Sequence, residues 1–535
     1  MILTVGVLFI TSLYVIYRLL VSMRRSECEI PGDIKGPLHL PIIGSVLDVY
    51  RSVGSFDYIG KYALLLYKKY GWIVRVKFLH QERVFLYHPY DIAAVYQSDG
   101  KYPTLMSAAL PTIAYADKLC NIDDLTLAST DGPRWHFLRH ELNRFIFSSR
   151  VVASYIPYIN PICADVSKLI AQQPDHITCD QYDTISPHHN INSNKKSKVV
   201  NVEEITPYFT CETMASVLFG IRLGSLTNNN GSQTFAKNII TFFSESFTMV
   251  FDIPWWRLFL TPRFKRYLNV YQSIRQYALA EVHKCMTDSH DNNCDSNSEN
   301  GDSEVLPVPY IKRLIKENKL SEAEMTEGIV TMFIAGVDAT ASAIDCFLLQ
   351  MAINTQVQDK LYNEIYSVLH GGDYHDSALT QLTYLKWCIK ELYRLMPAVP
   401  GTFRSLRQDV VLHTGQMLKR DTTVFLCPSG VLQDDNYVSR PTVFDPQRWS
   451  DDNRADRTQA GLECVDTLIN YVPFSFGPRM CLGAKLATVE MYCLLCRLFQ
   501  DYRITLSPDA QPYTIISIPF AKATPYPKLV FTPRS

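Results

Sequence analysis

The apolar residues of this chain repeat at two spacings. They alternate with polar residues near the start, as in a strand, and recur at helical spacing through most of the rest. Residues 73–78 and 83–87 alternate apolar and polar side chains around the polar segment 80–82, which predicts paired strands. A helix is expected from Pro89, and the long middle repeats its apolar residues at helical spacing. With short strands near the end, the pattern predicts a mainly α fold of the α+β class.

The N-terminal residues form a nearly continuous apolar run. Residues 1–23 are about long enough to cross a bilayer as one helix, and Arg24 and Arg25 follow them. No small-x-small cleavage site is evident, so an uncleaved transmembrane anchor is expected. Residues 24–44 then predict a stiff Pro/Gly-rich connector, and 45–535 the main domain.

Two segments follow neither period. Residues 183–198 are rich in His, Asn, Ser and Lys, and residues 287–304 consist mostly of Asp, Asn, Ser, Glu and Gly. Segments of this composition bury too little apolar surface to offset the entropy of ordering. Both are predicted to be disordered insertions.

Composition and charge narrow the class of protein. The 535 residues are 47% hydrophobic, enough for a large core, and 52 basic residues nearly balance 53 acidic ones. No global basic field indicates a nucleic-acid partner. The fourteen cysteines are scattered, and most are expected to be thiols packed like small apolar side chains, with Cys481 as the exception.

Cys481 lies in the segment 474–483, Phe-Ser-Phe-Gly-Pro-Arg-Met-Cys-Leu-Gly. Gly477 and Gly483 are expected to take turn angles closed to other residues and to let the backbone approach a flat ligand. Backbone N–H groups of this turn and of a helix starting near Leu482 would stabilise a thiolate. The arrangement suits a haem iron held by one thiolate. The alternative is a buried structural cysteine.

The complete pattern Phe-x-x-Gly-x-Arg-x-Cys-x-Gly resembles the cytochrome P-450 family of haem-thiolate monooxygenases, and the resemblance extends from about Pro31 to the C-terminus. It implies the cytochrome P-450 fold and a haem b (iron protoporphyrin IX) whose metal ligand is Cys481. It also implies O2 as oxidant and electrons from NAD(P)H through a partner protein, with the thiolate favouring O–O cleavage. The implied cofactor-binding residues are Cys481, Arg479, Phe474, Gly477, Gly483, Trp135, Arg139 and Arg404.

The arginines among them are the expected partners of the haem propionates, because a guanidinium can bind a carboxylate in a bidentate manner. Trp135 and Arg139 are four residues apart behind Pro133, a helix-starting residue, and so share one helix face. The alternative is a core tryptophan beside a surface arginine. Arg404 is a further expected propionate partner.

A separate group of charges is expected to be structural. Glu391 and Arg394 lie three apart on a predicted helix and by themselves would be an ordinary surface ion pair. The resemblance adds Arg448, in Phe-x-Pro-x-Arg-Trp, and implies a buried three-charge cluster that fixes the loop presenting Cys481.

Ser321 and Glu324 form a plausible capping box that opens an apolar helix to about Asn354. Residues 335–340 resemble the oxygen-binding helix of the family, in which Gly336 makes room for O2 and an acid–alcohol pair relays protons. Asp338 and Thr340 are the candidates. Where the family usually has threonine directly after the acid, this chain has Ala339, and one residue rotates a side chain by about 100°.

Two signals conflict on the redox partner and the compartment, and the continuous apolar run is taken as the stronger, with the second signal as the alternative. The apolar N-terminus favours the cytoplasmic face of the endoplasmic reticulum membrane and an NADPH-dependent diflavin reductase. Lys386 and Lys390 resemble the mitochondrial-type branch, in which such lysines dock an acidic ferredoxin of the adrenodoxin type at the mitochondrial inner membrane. Segments 101–124 and 241–260 correspond to pocket-lining regions, and the aromatic residues of the second suggest a lipophilic substrate such as a sterol, fatty acid or xenobiotic.

Two rival functions keep the haem but change its use. A haem-thiolate isomerase, dehydratase or peroxygenase needs no electron donor, and Ala339 motivates it because such chemistry can dispense with a proton relay. A non-catalytic haem protein that carries or senses a small ligand is the other alternative.

Overall fold

The computed structural model describes most of the chain after the predicted anchor. The described residues are 30–534 without 32, 41–42, 80, 105–110, 123–124, 128, 147, 176–196, 228, 252–254, 258, 292–307, 453–463 and 519. The anchor 1–23 and most of both predicted insertions lie outside them, and the anchor, the connector and the domain bounds stay predictions.

Helices form most of the described chain. The α-helices are α1 Val46–Val53, α2 Ile59–Tyr70, α3 Pro89–Ser98, α4 Pro111–Leu119, α5 Gly132–Asn143, α6 Ser149–Ala153, α7 Ile156–Ala171, α8 Thr206–Phe219, α9 Asn230–Phe251, α10 Pro262–Asp291, α11 Tyr310–Glu317, α12 Glu322–Ile353, α13 Thr355–Leu369, α14 Thr383–Leu395, α15 Ser429–Leu432, α16 Cys464–Leu468 and α17 Ala484–Asp501. Short 3₁₀ helices lie at Phe56–Tyr58, Val202–Glu204, Trp255–Arg257, Asp376–Thr380, Pro446–Trp449 and Ile469–Tyr471.

The strands are short and form four small sheets. They are β1 Ile73–Phe78, β2 Gln81–Leu86, β3 Lys198–Val200, β4 Thr402–Ser405, β5 Val410–Val411, β6 Met417–Leu418, β7 Thr423–Leu426, β8 Tyr502–Leu506, β9 Thr514–Ile516, β10 Lys522–Thr524 and β11 Leu529–Pro533. The largest sheet has the order β1-β2-β7-β4, with β2 and β7 parallel and the other neighbours antiparallel. A three-stranded antiparallel sheet has the order β3-β11-β8.

Helix α12 is the centre of the core. It packs against α8, α9 and α10, and most of its residues are buried. Among the described residues it is also the one helix long and apolar enough to cross a bilayer, but 78% of its most apolar window is buried inside the protein. Its apolarity on all sides is therefore that of a core helix.

The structure confirms the mainly α fold class and most of the predicted local elements. Strand β1 has the predicted bounds, and β2 pairs with it but begins at Gln81, two residues earlier than expected. A helix begins at Pro89, and α12 begins at the predicted capping box and ends before Asn354. The predicted insertions extend too far at two ends, because Lys198 pairs in β3 and residues 287–291 continue α10.

A buried ion cluster joins α14 to the loop before the Cys481 segment. Glu391 binds Arg394 in a bidentate manner at 2.8 and 3.0 Å and also accepts from Arg448 Nε at 3.3 Å and Trp449 Nε1 at 3.0 Å. The side chains of Glu391 and Arg394 are fully buried. The structure thus shows the three-charge cluster that the sequence predicted.

The remaining donors of the two arginines bind backbone carbonyl oxygens. Arg394 donates to the carbonyl groups of Leu432, Pro441 and Val443, and Arg448 donates to that of Ser439. These acceptors are the last residue of α15 and residues of the loop between α15 and the 3₁₀ helix at Pro446–Trp449. The cluster therefore stabilises an irregular backbone that has no ladder of its own.

Replacing Glu391 by Gln should lower the free energy of unfolding by about 3–5 kcal/mol, because two buried guanidinium groups would keep their charge without a carboxylate. Denaturant titration of both proteins measures the difference. The matched control is Asp409→Asn, which breaks an exposed pair with Lys419 and should cost about 0–1 kcal/mol. Equal small losses in both variants would contradict a structural role for the cluster.

Candidate functional site

The segment that carries Cys481 forms a tight loop directly before α17. The Cys481 N–H donates to the carbonyl of Phe474 at 2.8 Å, and the Met480 N–H donates to that of Gly477 at 2.9 Å. Gly477 has φ +77°, the left-handed conformation that the sequence predicted for it. The same expectation was wrong for Gly483, which has φ −85° as the N-cap of α17 and faces open space instead of a strained turn.

Cys481 differs from the other described cysteines in its exposure. Its side chain is exposed to an internal cavity, whereas the others whose exposure is described are buried or, for Cys120, half-buried. The surrounding protein raises the pKa of the Cys481 thiol, while the N–H of Gly483, the charge of Arg139 and the N–H of Ala484 lower it. The start of α17 therefore stabilises a thiolate, as the sequence analysis expected.

Two cavities adjoin this thiol. The larger, about 450 Å³, is mostly apolar and lies between the Cys481 loop and α12, and the smaller is about 170 Å³. Phe474, Pro473 and Arg479 line both. An accessible thiol facing a mostly apolar cavity, with cationic side chains in its wall, fits a haem bound through sulfur.

Two of the predicted arginines lie in the cavity wall beside Trp135. The guanidinium of Arg479 stacks over the Trp135 ring at 3.7 Å, donates to Pro103 O at 3.0 Å and pairs with Asp131. Burial lowers the pKa of Arg479 to about 10. Arg139 also lines the cavity and donates to Met480 O at 2.7 Å, next to the cysteine.

Arg404 is held by contacts with an acid and with the Cys481 segment. It is buried behind the loop, where its Nε donates to Asp99 at 2.9 Å and Nη2 reaches Ser475 and the carbonyl of Phe476. The residues that line the larger cavity do not include it. Its role as a propionate partner stays a prediction, and its observed contacts position the loop. The acids Asp99 and Asp131, which the sequence analysis did not single out, are the carboxylates now paired with these arginines.

One face of α12 forms the opposite wall. Ala335, Gly336, Ala339 and Thr340 all line the cavity, at spacings that place them on one side of the helix. A Cβ added at Gly336 would lie 2.8 Å from the sulfur of Met214, so glycine permits this close approach of α8. Ala339 and Thr340 therefore share the wall, although only one of them carries a hydroxyl group.

Asp338 lies behind that wall and does not line the cavity. It is buried, and its Oδ2 has no hydrogen-bond partner among the described residues. Burial raises the pKa of Asp338 to about 6, against the opposing charge of Lys522. An unpaired carboxyl with this pKa can take up or release a proton close to neutral pH.

A second buried acid, Glu490 on α17, was missed by the sequence analysis. Its carboxyl lines the larger cavity and accepts a hydrogen bond from the Thr213 hydroxyl at 3.0 Å. Burial raises the pKa of Glu490 to about 8, so the group is largely protonated at neutral pH. The only sequence signal was an acid between Val489 and Met491, inside an apolar helix.

The predicted docking lysines lie one turn apart on α14, the helix that carries Glu391. Lys390 is exposed and its ammonium group lies 5.3 Å from the centre of the Trp449 ring, while Lys386 is half-buried. The buried ion cluster therefore holds the same helix that presents these two cations.

Comparisons with known proteins agree with this geometry. A family model described as "Cytochrome P450" matches residues 34–531. "Probable cytochrome P450 12b2, mitochondrial" of Drosophila melanogaster is 26% identical over 437 residues, 80% of this chain and 75% of that protein. "Sterol 26-hydroxylase, mitochondrial" of Rattus norvegicus is 27% identical over 387 residues, 71% and 67% of the two chains. "Cytochrome P450 27C1" of Danio rerio is 24% identical over 456 residues, 83% and 76%.

The wild-type protein should become less stable as pH rises, because the buried Glu490 carboxyl must then lose its proton. Replacing Glu490 by Gln should remove this loss of stability. A folded pKa of about 8, above the ordinary 4.5, means that the folded wild type binds more protons than the unfolded chain between these values, so its stability falls as pH rises through them. The variant, whose amide oxygen can still accept from Thr213, should be the more stable protein above about pH 8 by a few kcal/mol.

Thermal unfolding midpoints measured from about pH 5 to pH 8.5 test this. The control is Glu204→Gln, which changes an exposed acid and should leave the wild-type pH dependence intact. Parallel curves for wild type and Glu490→Gln would contradict the burial of an ionisable carboxyl at this position.

Proposed function

The chain belongs to the cytochrome P450 family of haem-thiolate monooxygenases, and from this premise we propose that it inserts one atom of O2 into a lipophilic substrate with electrons from a ferredoxin. The observation that carries the proposal is the Cys481 thiol, open to an apolar cavity and backed by the first N–H groups of α17. The apolar wall supports a lipophilic substrate, because it offers few partners to a polar one.

The residues around the thiol have separable tasks. Cys481 Sγ would ligate the iron, and the N–H groups of Gly483 and Ala484 hold its negative charge. Arg479 and Arg139 would bind the haem carboxylates from the cavity wall. When bound, the haem supplies the activation of O2 and the insertion of oxygen, with the thiolate favouring O–O cleavage.

Three side chains can hold or move protons beside this space. Asp338 has a pKa of about 6, and its Oδ2 has no hydrogen-bond partner in the described part of the chain, so it can exchange a proton behind the wall. Thr340 adds a hydroxyl group to the wall. Glu490, on α17, keeps a proton in the cavity wall. Thr340 therefore supports a proton supply even though Ala339 replaces the usual threonine. This proton supply weakens the case for a rival enzyme that needs no electron donor.

An adrenodoxin-type ferredoxin is the electron donor we propose, and a mitochondrial membrane the location. The relatives from Drosophila melanogaster and Rattus norvegicus are named as mitochondrial proteins, and Lys386 and Lys390 form a cationic site on α14. The comparisons do not support the endoplasmic reticulum that the N-terminal run favoured. A sterol is one candidate substrate, since a relative is named a sterol 26-hydroxylase.

Cys481→Ala should abolish the thiolate-type Soret band of the reduced carbon monoxide complex, because no other described cysteine is exposed to the cavity. Optical spectra of the two purified proteins measure it. Cys120→Ala, which changes a half-buried cysteine elsewhere, should keep the band. An unchanged band in Cys481→Ala would disprove the proposed ligand.

Changing both Lys386 and Lys390 to Glu should weaken a ferredoxin about tenfold or more, since repulsion replaces attraction at two positions. The ferredoxin concentration at half-maximal reduction rate measures this, and a diflavin reductase is assayed in parallel. Lys168→Glu, an exposed lysine on α7, is the control and should leave both donors unaffected. An equal loss with both donors would contradict a ferredoxin-specific site.

A further inference from the structure

Two side chains that carry hydroxyl groups line the larger cavity, one on α10 and one on the first half of α12. They belong to Tyr271 and Thr331. Thr331 precedes Thr340 by nine residues, roughly 13 Å along a helix. Thr331 therefore lies apart from Asp338 and Thr340, and neither it nor Tyr271 takes part in the proposed proton supply.

Polar contacts between the two helices set a register that accounts for both residues lying in the same wall. His283 lies 3.1 Å from Glu322, and Arg275 lies 2.6 Å from Glu327, so lower numbers on α10 face higher numbers on α12. The helices are antiparallel. One further turn along each brings Tyr271, four residues before Arg275, to Thr331, four residues after Glu327.

Each of these hydroxyl groups donates its single proton within the protein. Tyr271 Oη donates to Asp117 Oδ1 at 2.7 Å, and Thr331 Oγ1 donates to the carbonyl of Glu327 at 2.8 Å. Asp117 is fully buried and also accepts from Thr126 at 2.8 Å, which orients the carboxylate. With their protons committed, both oxygens have only lone pairs left to offer a ligand.

We propose that Tyr271 and Thr331 form an acceptor-only subsite that binds a hydroxyl group of an otherwise apolar substrate. The inference rests on the proposed function and names the substrate class for the same cavity, a lipophilic alcohol. The neighbouring cavity side chains Phe242, Phe243 and Val330 are apolar and offer no alternative partner. The oxygen of a ketone or an ether can only accept a hydrogen bond, so it would face the lone pairs of the two hydroxyl groups. It would then lose the hydrogen bond that it makes in water.

Binding of matched pairs to the haem-loaded protein tests the subsite. The probes are dodecanol, geraniol and cholesterol, each with its methyl ether, and quenching of tryptophan fluorescence reports equilibrium binding without turnover. At least one alcohol should bind about threefold to tenfold more tightly than its ether. In the double variant Tyr271→Phe, Thr331→Val the ratio should fall to about one, through weaker binding of the alcohol.

The chain offers a matched control for each change. Tyr267→Phe makes the same substitution one turn away on α10, and Thr326→Val removes a hydroxyl that donates to Glu322 O at 2.8 Å on α12. Neither residue lines the cavity, so this double variant should keep the wild-type ratio.

Three outcomes would overturn the subsite: no alcohol binds, the wild type shows no preference, or the preference survives in Tyr271→Phe, Thr331→Val. The reduced carbon monoxide spectrum of the same samples separates this failure from that of the proposed function. A normal thiolate-type band without alcohol preference overturns the subsite alone, and a missing band in the wild type overturns the haem-thiolate assignment.

Discussion

The structure depends on keeping one thiol open to a cavity inside an otherwise closed apolar core. A thiol in such surroundings resists ionisation, because burial disfavours the charged form. The start of α17 offsets this with two N–H groups directed at Cys481, and the left-handed Gly477 turns the loop so that the sulfur reaches the cavity. The remaining parts of the site follow from holding this loop in place.

Charged side chains hold the Cys481 loop in place through three sets of contacts. Arg139 binds the carbonyl of Met480, Arg404 binds the loop at Ser475 and Phe476, and the Glu391 cluster fixes the preceding backbone. Arg394 and Arg404 each combine a carboxylate with backbone carbonyl oxygens. Arginine suits this task because its donors form a rigid fork and its charge persists when buried.

Helix α12 lines the cavity with one face and packs in the protein core with its other faces. Small residues on one face leave the cavity wall open, whereas the buried acid Asp338 lies on another. Its first turns pair with α10 through Glu322 and Glu327, which sets the register of the two helices, and Tyr271 and Thr331 line the same cavity. The same packing that stabilises the fold thus determines which polar atoms a substrate would meet.

Local sequence patterns were sufficient to predict several strands and helices and the loop around Cys481. Strand alternation placed β1, the capping box placed the start of α12, and the glycine and cysteine spacing identified the site, because each depends on neighbours in sequence. Glu391 could be recognised as structural only through its resemblance to a family, since a Glu-x-x-Arg pair carries no signal of burial.

Long-range packing decided the rest. Which acid pairs with Arg404, whether Glu490 is charged, and which hydroxyl groups have donated their protons all depend on residues up to about 300 positions away. The dielectric surroundings and the hydrogen-bond partners of a side chain are properties of the assembled core. The sequence by itself determined that a thiolate site exists, and only the tertiary structure decided what surrounds it.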